Sequence, residues 1–289
     1  MSNILVIADL KQEQTLAIER ALTIAKQRSL PLHVVYFCYE SLRYVSGQED
    51  EVKANVLTRL DEHAQQQLAN IDFDGVSYSY EVCWEKYIPN WVEEYTQAND
   101  VKLVVKTGHR TERLLYTPLD WQLMRECSAP VMIAAPETWR KTPNVLAAID
   151  LGTKTDSKQA LNKLVLEKAR ALADCQEAEL FVCYTIRSSK LLRDMGFQYL
   201  DELEIAAERN LKDKVAEISS IYGVPEKNII LKAGEAEKVI PSQAAANKAG
   251  IVVMGTVGRR GVKGKLMGNT AEKVLKLLKC DVVAIKPEQ

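Results

Sequence analysis

The stretch NILVIAD, residues 3–9, returns in the second half of the chain as NVLAAID, residues 144–150. Each is a short apolar run that ends in aspartate, which is typical of a buried strand that leads into a polar loop. Because further segments recur in the same order, one module is used twice, and we predict domains at 1–141 and 142–289. The other matching pairs are LHVVYFCY (32–39) with LFVCYTI (180–186), EKYIP (85–89) with EKVIP (237–241), KLVVKTG (102–108) with GIVVMGT (250–256), and CSAPVMIAAPE (127–137) with KCDVVAIKPE (279–288).

Between these strand-like runs, apolar residues recur with helical spacing. The first half has Ile18, Ala21, Leu22 and Ala25 at i, i+3, i+4 and i+7, and the second half has a similar run from Leu161 to Leu172. The strands themselves are apolar at successive positions, as strands covered on both faces must be. Alternating strands and helices predict an α/β fold in which each module is a small doubly wound parallel sheet. Ligands of such sheets bind beyond the carboxyl ends of the strands.

Composition excludes several classes of protein. The 289 residues are enough for two domains, and 47% of them are hydrophobic, so a sizeable core is expected. A net charge of −1 gives no overall attraction to nucleic acid or to an anionic membrane, and no apolar run reaches the length of a membrane span. The opening MSNILVIADL lacks the basic region of a signal peptide. The six scattered cysteines favour thiols in a reducing cytoplasm.

A glycine-rich loop follows the strand-like run IVVM, in the stretch MGTVGRRGVKGKLMGNTAEKVL, residues 254–275. Glycines leave backbone N–H groups accessible, and such groups in a tight loop bind anions. A helix is predicted directly afterwards, with Asn269 as N-cap, Glu272 three residues later, and an apolar face of Ala271, Val274, Leu275 and Leu278. The start of a helix also favours a phosphate group. Neither GxxxxGK[ST] nor GxGxxG is present.

The spacing that fits is Gly255-x2-Gly258-x9-Gly268 followed by Asn269 and Thr270. It resembles the nucleotide loop of ATP-binding universal stress proteins, with Asn269 where that family usually has Ser or Thr. The resemblance covers the whole chain and implies tandem universal-stress modules, each a five-stranded parallel sheet with helices on both faces. It further implies that the two modules pack as an internal pseudo-dimer through their last strands, which here contain VMIAAP (131–136) and VVAIKP (282–287).

The resemblance implies a nucleotide site in the second module, with ATP or another nucleotide-bearing ligand, with or without Mg²⁺. Asp150 has an alternative role as a local cap, and Arg259 either neutralises phosphate or lies in a solvated loop. The predicted ligand-binding residues are Asp150, Met254, Gly255, Gly258, Arg259, Gly268, Asn269 and Thr270.

In the first module Thr107, Arg110 and Thr117 stand where the second has its three loop glycines. Side chains there should block close approach of a phosphate, so we expect this site to be lost and Asp9 to be a relic. The alternative is a different site built from residues 109–113, which include His109 and two arginines.

No pattern in the sequence indicates catalytic or metal-binding residues. The leading hypothesis is therefore a cytoplasmic stress-response protein that binds a nucleotide or nucleotide conjugate and is regulated by it. The alternatives are a slow ATPase or nucleotide-dependent phosphorylating enzyme, and a ligand-free interaction scaffold. Homodimers are compatible with all three. The helical segment 188–215 carries an apolar stripe that suits either core packing or a groove for a greasy or sugar group on the nucleotide.

Overall fold

The structure is a computed structural model that describes residues 2–11, 15–45, 47–108, 118–136, 143–256 and 269–287, without the side chains of Pro118 and Asn269. The chain divides into two compact units, Met1–Pro136 and Glu137–Gln289. The predicted boundary between residues 141 and 142 lies outside the described residues.

The first unit alternates strands and helices in the predicted manner. Its strands are β1 (Asn3–Ile7), β2 (Leu32–Cys38), β3 (Tyr78–Trp84), β4 (Val101–Thr107) and β5 (Val131–Ala134), and its α-helices are α1 (Leu16–Arg28), α2 (Glu49–Ala69), α3 (Ile88–Ala98) and α4 (Pro118–Glu126).

The second unit repeats this order and adds helices between its second and third strands. Its strands are β6 (Asn144–Ile149), β7 (Leu180–Ile186), β8 (Ile229–Ala233), β9 (Ala249–Gly255) and β10 (Asp281–Ile285), and its α-helices are α5 (Asp156–Cys175), α6 (Lys190–Asp194), α7 (Leu200–Asn210), α8 (Lys212–Tyr222), α9 (Ala236–Ala246) and α10 (Asn269–Leu277).

In each unit five parallel strands form the sheet, which confirms the predicted α/β fold. The order is β3-β2-β1-β4-β5 in the first unit and β10-β9-β6-β7-β8 in the second. The module's first strand is therefore central in both: Val6 pairs with Val34 and Val105, and Leu146 pairs with Phe181 and Val252. The strand order reverses at this central strand, where such sheets bind ligands.

Helices cover both faces of the first unit's sheet. Neighbouring residues of a strand point to opposite faces, and in β2 they meet different helices. The Tyr36 hydroxyl donates a 2.6 Å hydrogen bond to Gln67 Oε1 of α2, whereas the Phe37 ring packs edge-on against Trp91 of α3 with centroids 5.1 Å apart. The buried Tyr36 phenol has a raised pKa, chiefly because burial disfavours the phenolate.

The predicted helical faces are buried. Ile18, Ala21 and Ala25 of α1 have at most 1% of their surface exposed, and Val274 and Leu275 of α10 are completely buried. Full burial of a Val, Leu or Ile side chain contributes about 1.5–3 kcal/mol, and an alanine contributes less. The hydrophobic periodicity therefore located both the helices and the faces that they turn to the core.

The segment 188–215 differs from a single amphipathic helix with a core-facing stripe. It is divided among α6, α7 and the start of α8, and Gly196 has a left-handed φ of +75° between α6 and α7. No residue of α7 is buried, and Met195 and Phe197 are 61% and 75% exposed. Core packing was thus the wrong interpretation of the apolar residues near Phe197.

All six cysteines are thiols: Cys127 and Cys183 are buried, and the other four are partly exposed. Burial raises the pKa of Cys183 to about 12, so it is a neutral thiol near pH 7. None of the helices in the described part of the chain combines the length and apolar character that a bilayer crossing requires.

Two helix ends in the left-handed conformation provide a matched test of the fold. Helix α1 ends at Ser29 with φ +51°, and α8 ends at Gly223 with φ +61°. Because only glycine adopts this conformation without strain, Ser29→Gly should stabilise the protein by roughly 0.5–1 kcal/mol and Gly223→Ser should destabilise it by about 1 kcal/mol. Urea unfolding followed by circular dichroism measures both changes. The two substitutions should change the free energy of unfolding in opposite directions. Destabilisation by both would contradict the assigned helix ends.

Candidate functional site

The carboxyl edge of the second unit brings together three of the predicted ligand residues. Strands β6 and β9 are parallel neighbours in which Ala148 pairs with Met254, and Asp150 follows directly after β6. Gly255 ends β9 opposite Ile285 of β10. The aspartate and the end of β9 therefore lie at the same edge, beside the central strand where the strand order reverses.

Asp150 is held on both sides of its backbone by one side chain of α5. The Asp150 N–H donates to Asn162 Oδ1 at 3.0 Å, and Asn162 Nδ2 donates to the Asp150 carbonyl at 2.8 Å. The Asp150 carboxylate accepts a 3.2 Å hydrogen bond from the Gly152 N–H, which forms a local turn. Asp150 therefore has the local capping role considered from the sequence, and its partly exposed carboxylate also lies at the ligand edge.

Tyr184, near the end of β7, lies against the same turn. A Cβ placed on Gly152 would be 2.4 Å from the Tyr184 hydroxyl oxygen and 3.5 Å from Asp150 Oδ1, so a larger residue here would have to displace the Tyr184 side chain. The pKa of Tyr184 is raised, first by burial and then by the negative charge of Asp150. The phenol is consequently a neutral hydrogen-bonding group beside the aspartate. The turn is also tied to α8, because Lys214 Nζ donates to the Leu151 carbonyl at 2.9 Å.

Met254 and Gly255 are the last two residues of β9 and lie at this edge. Met254 is 5% exposed and presents an apolar side chain at the end of β9. Packing against α5 favours glycine at position 255, because an added Cβ would lie 2.4 Å from Cδ2 of Leu161. The Leu161 side chain therefore occupies the space beside Gly255. The sequence predicted a different reason for this glycine, which was room for a phosphate group.

The remaining predicted residues belong to the loop and to α10. Thr270 lies in the first turn of α10 and is exposed at the edge, and the helix begins at Asn269. Gly258, Arg259 and Gly268 lie outside the described residues, as does the side chain of Asn269.

The first unit carries a buried ion pair at the matching place. When the strand pairs β4–β5 and β9–β10 are aligned, Lys106 corresponds to Met254. Aligning α4 with α10 from their first residues makes Asp120 correspond to Ala271. Lys106 Nζ lies 2.8 Å from Asp120 Oδ1 and donates to the Thr107 carbonyl at 2.8 Å. The side chains of Lys106 and Asp120 are 7% and 0% exposed. The charged pair of the first unit thus aligns with two apolar residues, Met254 and Ala271, in the second.

Residues 109–117, which include His109, Arg110, Arg113 and Thr117, lie outside the described residues. The structure does describe Thr107 and Asp9, and both are buried, with 7% and 8% of their surface exposed. A ligand would therefore meet the edge of the first unit mainly through other groups.

Asn162, Tyr184 and the Lys106–Asp120 pair were missed from the sequence. Tyr184 had a usable signal, because it aligns with Tyr36 in the repeat. The ion pair had a weaker one, a single lysine inside the strand-like run KLVVKTG. In the described part of the chain no group of three or more His, Cys, Asp or Glu residues is placed to hold a metal ion.

Comparison with known proteins identifies the repeat. The model of the universal stress protein family matches the chain twice, at residues 1–135 and 142–286. The chain is 28% identical over 305 aligned positions to universal stress protein E of Escherichia coli strain K12, with 99% of this chain and 94% of that protein covered. It is 25% identical over 302 positions to a universal stress protein E homolog of Haemophilus influenzae, covering 99% and 98%.

A solved structure also matches along the whole chain. A protein of unknown function from Pseudomonas aeruginosa PAO1 is 26% identical, with a TM-score of 0.71 and coverage of 99% of this chain and 92% of that one. Relatives and structure therefore agree on a tandem arrangement of two modules.

The buried ion pair can be tested by importing the second unit's residues. Lys106→Met or Asp120→Ala alone leaves one buried charge without its partner, which should cost about 3–5 kcal/mol. The double variant K106M/D120A reproduces the Met254–Ala271 pair, and we expect its stability within about 1 kcal/mol of the wild type. Urea unfolding of the four proteins gives the coupling energy. If the two single effects simply add in the double variant, the pair does not act as a unit.

Proposed function

Because the chain belongs to the universal stress protein family, we propose that it is a stress-response protein that binds a nucleotide or nucleotide conjugate at the carboxyl edge of its second module. The observation that carries this proposal is the contrast between the two modules. At the carboxyl edge that Asp150 shares, β9 carries the uncharged side chain of Met254, whereas Lys106 and Asp120 form a buried ion pair at the matching place of the first module. We therefore expect one nucleotide per chain.

The described residues fit the sugar and base of a nucleotide. A carboxylate accepts hydrogen bonds from hydroxyl groups, as ribose requires, and a Met side chain packs well against the face of an aromatic ring. The start of α10 offers backbone N–H groups to phosphate oxygens. Thr270 in its first turn, together with Gly258, Arg259 and Gly268 of the preceding loop, would complete the phosphate contacts. Any accompanying Mg²⁺ would be held largely by the phosphates and water.

We infer ligand-dependent regulation rather than efficient catalysis. The two histidines that the structure describes, His33 and His63, both belong to the first unit. His33 is occupied, because its ring nitrogens lie 2.9 Å from Ser79 Oγ and 2.8 Å from Glu81 Oε1. Tyr184 and Asp150 hold the local turn of the second unit, which suits a binding role. We place the protein in the cytoplasm, where its six thiols would persist.

The first test identifies what the protein carries. The purified chain is denatured, and released small molecules are identified and quantified by mass spectrometry. About one nucleotide or nucleotide conjugate per chain supports the proposal. An empty preparation is then titrated calorimetrically with ATP and Mg²⁺, and failure to bind would favour a ligand-free interaction scaffold.

The repeat supplies a matched pair of variants for locating the site. Asp150→Asn keeps an acceptor for the Gly152 N–H but removes the charge, and we expect it to weaken nucleotide binding by roughly tenfold or more, as loss of a charge-assisted hydrogen bond predicts. Asp9→Asn changes the matching residue of the first module and should leave binding unchanged. Equal losses in both variants would contradict the assignment to the second module. Release of ADP over many turnovers in the same samples would favour the slow ATPase.

A further inference from the structure

The second unit has a cavity at the edge opposite to the candidate nucleotide site. It lies where β9 and β10 begin and where α9 and α10 end, and its volume is ≈ 600 Å³. Sites for small molecules in proteins have about this size. Its walls are mainly apolar, formed by the prolines Pro143 and Pro241, the alanines Ala244 and Ala245, and Leu278.

Small residues and a tight strand start produce this space. Ala244 and Ala245 present only methyl groups from the last turns of α9. Gly250 lets β9 begin against Pro143, since an added Cβ would be 2.3 Å from the proline Cβ. Part of the cavity wall is therefore backbone and short side chains, which do not readily move to fill it.

The first module has hydrogen-bonded side chains at the matching place. The repeat of EKYIP and EKVIP aligns Glu93 with Ala245 and Thr96 with Lys248, and the strand register aligns Ser128 with Lys279. In the first unit the Ser128 N–H donates to Glu93 Oε2 at 2.7 Å, and Thr96 Oγ1 lies 3.2 Å from Ser128 Oγ. The second unit lacks the counterpart of each of these three side chains. The side chains at this place therefore differ between the two copies of the module.

Two positive charges stand at its rim. Lys248 and Lys279 line the cavity, and neither forms an ion pair with any residue that the structure describes. Lysines are common at helix C-termini because they complement the helix dipole, so their charge alone would not indicate a ligand. Here they flank an apolar cavity, and the one carboxylate in its wall, Asp281, is 1% exposed. The charged groups that a ligand can reach are therefore positive, and the inner wall of the cavity is mainly apolar.

We propose that this cavity is a second ligand site, distinct from the nucleotide edge, and that it takes an amphipathic carboxylate. The apolar body would lie against Ala244, Ala245 and Leu278, and the carboxylate would pair with Lys248 and Lys279. An uncharged or cationic molecule of the same shape gains the apolar contacts but not the ion pairs. The site therefore discriminates by charge.

Binding is tested with decanoate as the probe, followed by calorimetry and by its displacement of the fluorescent anion 1-anilinonaphthalene-8-sulfonate. Decylamine has a chain of matched length and the opposite charge. We expect decanoate to bind at least about tenfold more tightly than decylamine. Equal affinities, or no saturable binding of decanoate, would overturn the proposal. The K248A/K279A variant should lose the preference for decanoate, and its retention would also overturn the proposal.

The first module supplies the variant that closes the cavity. Ala245→Glu introduces the residue found at position 93, where it can pair with Lys279, and should weaken decanoate binding by about tenfold or more. Ala246→Glu, one place along the exposed side of the same helix, is the matched control and should change binding by less than about twofold. Undiminished binding to A245E would exclude this cavity. Thermal unfolding checks that both variants fold.

Alkylation of Cys280 gives an independent readout, because this thiol also lines the cavity. Decanoate should slow its reaction with iodoacetamide in the wild type but not in A245E, whereas protection in both proteins would place decanoate elsewhere. Nucleotide binding, measured in parallel, should be the same in wild type and A245E. The two sites therefore succeed or fail separately.

Discussion

Each unit is built around its central strand, which is hydrogen-bonded to parallel neighbours on both sides. In β1, Ile4, Leu5 and Val6 are completely buried, and in β6 Val145, Leu146 and Ala147 are as well. A strand enclosed in this way can admit a polar side chain only where it ends, because an unpaired buried charge costs several kcal/mol. That constraint puts Asp9 and Asp150 at the carboxyl edge. The same constraint places the loops, and hence any ligand, at that edge.

The two copies have diverged by exchanging groups in contact rather than single residues. Lys106 with Asp120 replaces Met254 with Ala271, so a buried charge always has its partner. At the opposite edge, Glu93 with Ser128 in one unit corresponds to Ala245 with Lys279 in the other. Divergence of this kind is expected in a packed interior, where changing one partner alone leaves a cavity or an uncompensated charge. The unchanged parallel frame in both units shows that these exchanges leave the backbone arrangement intact.

Features of the fold and of the candidate site could be predicted from the sequence where they depend on residues close together in the chain. The succession of strands and helices and the buried helix faces follow from short apolar runs and from the repeat, so the fold and the position of Asp150 could be predicted. The Lys106–Asp120 pair could not, because it joins residues from two elements and lysine in a strand usually faces solvent. The same limit applies to Asn162, whose side chain reaches back across a loop to the Asp150 backbone. The apolar pattern of segment 188–215 suited either core packing or a groove, and the structure leaves Phe197 75% exposed.

Glycine is the residue for which sequence and structure give different reasons. Gly255 was interpreted as leaving room for a phosphate, but the atom nearest to its missing Cβ belongs to Leu161. The buried positions of α1 and α5 align Ala17 with Leu161. In the first unit the small Ala17 therefore corresponds to Leu161, and the larger Thr107 corresponds to Gly255. The glycine and the leucine thus form a size-matched pair, and a larger residue at position 255 would have to displace the Leu161 side chain whether or not a ligand binds. The uncharged Met254 and the partly exposed Asp150 therefore distinguish this edge from that of the first unit better than the glycine does, because packing alone does not require a carboxylate to remain partly exposed.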